Sequence, residues 1–497
     1  MARSWWMVAL AVAGMGMVAS VCAEQAHTDT KAWEPAAKAA GDAFVKAGHA
    51  DGLSIAVVRG GKASFLDAGT KERGKAVPPT ADTVYEIGSI TKTFGSLLLA
   101  QAIVAHKAQL GDDMRRYLPE CDYPGLAYEG RPVTLRELVA TTSGLPDNLP
   151  DALVQDMKQA KPADVPFLIV KRLNGYTAAQ FLADLRQASL QREPGKTPAH
   201  SNVAAQVVGL IDARLFGKPF ETVLAERIER PLGMASGTDK NRADRMAIGY
   251  TGDGRAAPVW DAPVTRAAGG LRYSTRDMAR YLERQLDESD PAVKLTHQPQ
   301  WGDAGERAIG FNWVIETTID GQVRLSHSGG TFGFASYMEL YPSDGYGVVL
   351  LANRSATTTQ GELQAVAERI HDAVFGASPA QTALDRAFAE QGFGDVAGTI
   401  AGVRRAHPRL HLTEGYVNAW GYRLLQEKRT REAVNVFAYN TTQYAASANV
   451  YDSLAEAYEA LGDHGQAITN YRLSLERNPG NEHAKGRLAV LEKPSSR

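Results

Sequence analysis

Ser89 and Lys92, three positions apart, are the residues of this sequence best suited to covalent chemistry. An apolar stretch follows them, so we expect a helix to begin near Ser89 and to place both side chains on one face. The first N–H groups of a helix are unpaired and the dipole is positive there, which favours an alkoxide. A desolvated Lys92 could take the proton of Ser89 and make it a nucleophile. The same spacing also fits a helix cap followed by a solvated lysine.

Three polar segments downstream support the catalytic interpretation of Ser89 and Lys92. They are residues 141–145 (Thr-Thr-Ser-Gly-Leu), residues 200–202 (His-Ser-Asn) and residues 326–331 (Ser-His-Ser-Gly-Gly-Thr), the last on an expected strand. With the Ser-x-x-Lys motif, this order resembles the serine β-lactamase and penicillin-recognising DD-peptidase superfamily, on its class C and esterase-like branch. The resemblance covers roughly residues 51–375.

The second family motif falls at Asn202, which the resemblance implies is a substrate-binding residue. His200 lies two positions earlier, where this branch usually has a tyrosine that shares proton transfer with the lysine. A histidine can also carry protons near neutral pH, so His200 is predicted to be catalytic together with Ser89 and Lys92. The alternative is a spacer beside a lysine that acts alone.

The third family motif is filled by His327, Ser328 and Gly329, in a histidine variant found in some DD-peptidases. The resemblance implies that these residues bind substrate, with His327 orienting it or donating toward a carboxylate. Gly329 would leave room for substrate to lie along the strand. The N–H groups of Gly330 and Ser89 would form the oxyanion hole.

The distribution of strands and helices predicts an α/β (α+β) fold. Strands at both ends of the region with helices between them indicate a largely antiparallel sheet flanked by helices, plus a helical lobe, as in β-lactamases and transpeptidases. The expected strands are residues 53–58, 63–68, 322–327, 333–341 and 345–352, and the pattern from 113 to 229 is mostly helical.

The C-terminal part is predicted to be an all-α, tetratricopeptide-like region at residues 381–490, after a linker at 376–380. Small and aromatic residues recur 34 positions apart, as in Gly421 and Ala455 or Phe437 and Tyr471. Two repeats imply a degenerate third at residues 384–405 or docking against the preceding domain. Such repeats could bind a protein partner; an unrelated helical tail is the alternative.

The N-terminus is predicted to be a signal peptide at residues 1–23, cleaved after Ala23, followed by the hydrolase domain at 24–376. A basic residue precedes a short apolar run and a small-residue cleavage site. The protein would then be secreted or periplasmic, with no membrane span after leader removal. An uncleaved anchor, or a lipid on Cys22, is the alternative.

Composition excludes several classes of function. The formal net charge is -2, which gives no basis for nucleic-acid binding. No zinc-type histidine motif or cysteine cluster is present, so no metal is expected, and no glycine-rich fingerprint predicts a nucleotide cofactor.

The predicted function is that of an exported serine hydrolase that forms an acyl-enzyme on Ser89. The bond could be an amide, a D-amino-acid peptide, a β-lactam or an ester, so the partner is a small-molecule or peptide substrate. A carboxylesterase is one alternative. A non-catalytic, penicillin-binding-like scaffold that binds a partner through its helical repeats is the other.

Overall fold

The computed structural model describes residues 32–119, 123–235, 237–239 and 244–492. The predicted leader and Cys22 lie outside these residues. Within them, no helix combines the length and the apolar character needed to cross a bilayer.

An antiparallel sheet of eight strands forms the centre of the described N-terminal region. The strands are β1 (Gly52–Arg59), β2 (Lys62–Gly69), β3 (Trp301–Asp303), β4 (Arg307–Ile309), β5 (Val314–Thr317), β6 (Val323–Gly330), β7 (Ala335–Tyr341) and β8 (Tyr346–Ala352). Their spatial order is β2-β1-β8-β7-β6-β5-β4-β3, so the first and last parts of the region pair through β1 and β8. The predicted mixed fold with an antiparallel sheet is confirmed. Strands β3 to β5 were not predicted, because each has only three or four residues.

Helices cover both faces of the sheet. Glu34–Lys46 and Thr359–Phe375 pack on one face, where Leu53, Ile55 and Val57 are buried. Thr91–Val104 and Thr275–Leu286 contribute to the core on the other face. Strand β1 is buried from its first residue to its seventh, which explains its continuous apolar run.

A helical lobe lies beside the second face and surrounds the start of Thr91–Val104. Its α-helices are Leu135–Val139, Asp151–Gln159, Val165–Leu173, Ala178–Gln187, Asn202–Phe216, Phe220–Leu224, Arg230–Leu232, Arg266–Gly269 and Pro291–Thr296. Short strand pairs join Val84–Glu86 to Arg272–Ser274, Tyr250–Thr251 to Arg354–Ser355, and Ala127–Tyr128 to Arg131–Pro132.

The C-terminal region is helical, as predicted. Its helices are Pro379–Gln391, Val396–Ala406, Glu414–Gln426, Thr430–Gln443, Ala448–Leu461, His464–Arg477 and Glu482–Leu491. The 34-residue spacing places small residues against rings: a Cβ added to Gly421 would lie 2.5 Å from the ring of Phe437. Ala455 and Tyr471 share the equivalent cluster in the next helix pair. The tetratricopeptide assignment itself stays a prediction.

The C-terminal helices contact two loops of the sheet. The backbone N–H of His411 donates to the carbonyl oxygen of Ile319 at 3.0 Å, and that of Ala380 donates to the Asp320 carboxylate at 3.0 Å. A further backbone N–H, from Glu414, donates to Glu306 at 3.0 Å. Ile319 also packs into the apolar core of the helices. Both loops belong to the edge of the sheet formed by β3 to β6.

Asp212 is a fully buried acidic residue in helix Asn202–Phe216. Neither of its carboxylate oxygens has a hydrogen-bond partner within the described residues, and burial raises its pKa well above the ordinary value. The unfolded chain therefore releases this proton at a lower pH than the folded chain does. The stability contributed by the neutral form is complete below about pH 4 and is lost as the pH rises toward the folded pKa.

We expect Asp212→Leu to raise the free energy of unfolding at pH 7 by about 1–3 kcal/mol, because it removes a buried, unpaired polar group. The gain should shrink as the pH falls toward 4, because the carboxyl of the unfolded chain then becomes increasingly protonated, as it already is in the folded chain. Urea titrations at the two pH values measure the difference, and Asp212→Asn isolates the part due to charge. A gain that is equal at both pH values would contradict the titration argument.

Candidate active site

Ser89 lies where the chain turns from strand Val84–Glu86 into a helix. A 3₁₀ turn, Gly88–Ile90, leads directly into Thr91–Val104. Gly88 has a φ of 53°, and a Cβ at this position would lie 2.5 Å from the backbone nitrogen of Gly330. Glycine therefore permits both the turn and the close approach of β6.

Lys92 is held beside Ser89 by three hydrogen bonds. Its Nζ lies 2.7 Å from Ser89 Oγ, 2.9 Å from Asn202 Oδ1 and 2.8 Å from the carbonyl oxygen of Ala268. The residue is only 4% exposed. Burial lowers the pKa of Lys92 to about 7, although the carboxylate of Asp147 acts in the opposite direction.

These partners orient the amine once it is neutral. The oxygens of Asn202 and Ala268 can only accept hydrogen bonds, so they take the two N–H groups of a neutral Lys92. The lone pair then points toward Ser89 Oγ, which is the arrangement that a general base requires. The contact with the Ala268 carbonyl could not be predicted from the sequence, because any residue type carries the same backbone group.

Asn202 is fixed at the first position of helix Asn202–Phe216. Ser201 caps that helix by accepting from the N–H of Ala204 at 3.0 Å, and its hydroxyl donates to the Pro146 carbonyl. The Nδ2 of Asn202 donates to Asn148 Oδ1 at 3.0 Å, which leaves Oδ1 directed at Lys92. The start of this helix therefore positions one of the two oxygen acceptors, besides Ala268, that hold the Lys92 amine.

His200 is joined to a carboxylate that the sequence reasoning did not single out. Its Nδ1 lies 2.6 Å from Asp147 Oδ1. Partial burial raises the pKa of Asp147, but the hydrogen bond and charge of His200 outweigh that effect and lower it overall. An ionised Asp147 only accepts, so Nδ1 carries the proton and Nε2 of a neutral His200 is the acceptor.

Strand β6 carries the third predicted motif to the start of the Ser89 helix. A Cβ on Gly329 would lie 2.1 Å from the Ile87 carbonyl oxygen and 3.0 Å from the Ser89 nitrogen. The close packing of the strand on the nucleophile turn therefore requires glycine. The hydroxyl of Ser328 donates to Gln360 Oε1 at 3.3 Å.

His327 is a neutral residue in this arrangement. Burial, followed by the positive charge of Lys92, lowers the pKa of His327 to about 3. Its Nδ1 donates to the Ser328 carbonyl oxygen at 2.6 Å, so the free Nε2 is an acceptor. This tautomer does not favour the predicted donation from His327 to a substrate carboxylate.

A cavity of about 450 Å³ opens beside Ser89. Of the predicted site residues, it is lined by Ser89, His200, Asn202 and Gly330, whereas Lys92, His327, Ser328 and Gly329 are not in its lining. The other lining residues are Asn148, Leu149, Leu153, Met157, Ile169, Leu173, Gln206, Trp260, Thr265, Ala268, Gly269, Thr331, Phe332 and Gln360. A larger cavity of about 680 Å³, at the junction with the C-terminal helices, contains none of the predicted residues.

One group within the described residues has the composition of a metal site: Asp452, Glu456 and His483 on the C-terminal helices. His483 Nδ1 and Asp452 Oδ2 already form a hydrogen bond at 2.9 Å, and none of the three is a predicted site residue.

Comparison with known proteins places this geometry in a family. The family model described as Beta-lactamase matches residues 37–373, which include every predicted site residue. The chain belongs to the β-lactamase family. It is 26% identical over 333 residues to the D-alanyl-D-alanine-carboxypeptidase/endopeptidase AmpH of Escherichia coli, covering 62% of this chain and 81% of that one. It is 28% identical over 326 residues to Protein flp of Staphylococcus aureus, covering 62% and 60%.

Solved structures of the β-lactamase fold match the same region. A β-lactamase/D-alanine carboxypeptidase from Pseudomonas syringae aligns with a TM-score of 0.58 at 20% identity, over 70% of this chain and all of that one. A class C β-lactamase gives a TM-score of 0.58 at 20% identity, over 70% and 98%. At this identity the likeness concerns the fold.

Proposed function

We propose that this β-lactamase-family protein is an exported serine hydrolase that acts through an acyl-enzyme on Ser89. The proposal rests on one observation: the amine of Lys92 is buried and forms hydrogen bonds with Ser89, Asn202 and Ala268. A pure binding scaffold has no need for a buried lysine aimed at a serine. Export rests on the leader predicted at residues 1–23.

Acylation begins when Ser89 Oγ attacks the substrate carbonyl and Lys92 takes its proton. The carbonyl oxygen becomes an oxyanion between the N–H groups of Ser89 and Gly330, which line one cavity. The bond to the leaving group then breaks, and the leaving group departs with the proton from Lys92. The acyl group remains attached to Ser89 Oγ.

Deacylation requires a base for water. His200 lines the cavity and offers Nε2, because Asp147 holds its Nδ1–H. Water attacks the acyl carbonyl as Nε2 takes its proton, and that proton returns to Ser89 Oγ as the acid product leaves. Asp147 acts through His200 and is therefore a positioning residue.

We expect His200→Gln to lower kcat by about 100-fold, within the range of lost acid–base catalysis. Because deacylation is the affected step, the acyl-enzyme should accumulate, and intact-protein mass spectrometry after rapid quenching measures it. Asp147→Asn should show a similar accumulation with the nucleophile still reactive. Acylation that slows equally with deacylation would place His200 in the first step instead.

The proposed activity is tested on purified mature protein with nitrocefin, a p-nitrophenyl ester and a D-Ala-D-Ala peptide. Mass spectrometry identifies the residue that carries the acyl group. An adduct on Ser89 with turnover of any of the three supports the proposal. No turnover and no adduct would favour the scaffold, with the C-terminal helices as its partner-binding part.

A further inference from the structure

The cavity beside Ser89 has an apolar wall that acyl transfer alone does not need. Two helices build it: Leu153 and Met157 lie four residues apart on Asp151–Gln159, and Ile169 and Leu173 lie four residues apart on Val165–Leu173. Residues four apart share a helix face, so each helix turns one apolar face to the cavity.

Aromatic rings extend this wall near the oxyanion position. Trp260 and Phe332 pack edge to face with their ring centroids 5.8 Å apart, and both line the cavity. Phe332 follows Gly330 by two residues in the chain. Apolar surface therefore begins close to where the scissile carbonyl is bound.

Among the residues that the structure describes, no aspartate, glutamate, lysine or arginine lines the cavity. Its polar members are Ser89, Asn148, His200, Asn202, Gln206, Thr265, Thr331 and Gln360. Within the described residues, the Nζ of Lys92 beside Ser89 already has three hydrogen-bond partners, and the partly buried Arg272 pairs with Glu86 at 3.5 Å. A substrate carboxylate would thus enter an apolar cavity without a permanent counter-charge, which is costly.

We propose that the site selects an uncharged ester or amide with a large apolar group beside the scissile carbonyl, and disfavours substrates with a carboxylate at that place. The inference rests on the proposed function and gives it a substrate class. A volume of about 450 Å³ lies within the range of small-molecule sites and accommodates an aliphatic or aromatic group.

The test compares kcat/KM for p-nitrophenyl acetate, butyrate and hexanoate, each divided by its rate of hydrolysis by hydroxide. Each buried methylene should add about fourfold until the cavity is full. Ethyl and hexyl acetate, followed by acid release, test the alcohol side in the same way. A rise in either series supports the proposal and identifies which side of the ester the wall binds; flat profiles in both overturn it.

The charge argument is tested with the p-nitrophenyl monoester of adipic acid, which has the chain length of the hexanoate and a terminal carboxylate. It should be hydrolysed at least about 20-fold less efficiently than the hexanoate, because the carboxylate is disfavoured in the apolar cavity. Equal efficiency would overturn the charge selection.

A cation placed in the wall should reverse the preference. Met157→Lys is expected to raise the ratio of adipate to hexanoate efficiency about tenfold, through attraction within a partly desolvated site. Val154→Lys, on the same helix but outside the lining, should leave this ratio at the wild-type value. An equal change in both variants would mean that the lysine acts on the helix and not in the cavity.

Labelling by a small fluorophosphonate distinguishes failure of the substrate-class proposal from failure of the hydrolase proposal. A label on Ser89 without chain-length or charge selection overturns the substrate class and leaves the hydrolase proposal intact. If Ser89 takes no label and no ester is cleaved, the hydrolase proposal fails and the substrate class fails with it. Circular dichroism confirms that each variant is folded.

Discussion

Ser89→Ala is expected to lower kcat/KM on every hydrolysed substrate by about 10⁴-fold or more, because it removes the atom that forms the covalent intermediate. The change should also abolish labelling by a fluorophosphonate. Binding of substrate should persist, since the cavity and the N–H groups of residues 89 and 330 remain. Initial rates and intact-protein mass spectrometry measure the two effects.

The exposed Ser289 provides a matched control. Ser289→Ala makes the same chemical change outside the cavity lining and should retain wild-type rates. If Ser89→Ala hydrolyses esters as fast as the wild type, another nucleophile is responsible and the acyl-enzyme on Ser89 is wrong.

Lys92 is expected to set the pH dependence of the first step. Because burial lowers its pKa to about 7 and only the neutral amine can accept a proton, kcat/KM should rise with pH through about 7 and then level off. Arginine stays protonated throughout this range. Lys92→Arg should therefore lose about 1,000-fold or more in kcat/KM and should not recover at high pH.

Kinetics between pH 5 and 9 with a neutral ester measure this dependence without titrating the substrate. Lys171→Arg, at an exposed position on helix Val165–Leu173, is the control and should retain the wild-type profile. A profile that falls as the pH rises through 7 would show that the charged amine is the active form, contrary to the proposed base.

Much of the site could be predicted because its motifs are local. Ser89 lies in the 3₁₀ turn that leads into the helix of Lys92, and Asn202 begins another helix, so short patterns reveal them. Asp147 could not be predicted in the same way, because it meets His200 across 53 positions of the chain. The Ala268 carbonyl leaves no sequence signal, since every residue has one.

The apolar wall of the cavity could not be predicted from the sequence for a different reason. Leu153 and Leu173 have the periodicity of an ordinary core-facing helix, and both are buried. The pattern identifies the face that avoids water, whereas three-dimensional packing decides whether that face meets the core or borders a cavity. The strands β3 to β5 were likewise missed because three or four residues contain too little alternation to count as a period.

The contacts between the sheet loops and the C-terminal helices affect the cooperativity of unfolding. Ile319 is partly buried against those helices, and its loop leads into β6, whose far end holds Gly330. Cutting the chain after residue 376 would expose that apolar loop and release one end of the strand that lies against the nucleophile. We therefore expect the C-terminal helices to stabilise the β-lactamase-family region, so that thermal unfolding of the two parts is coupled.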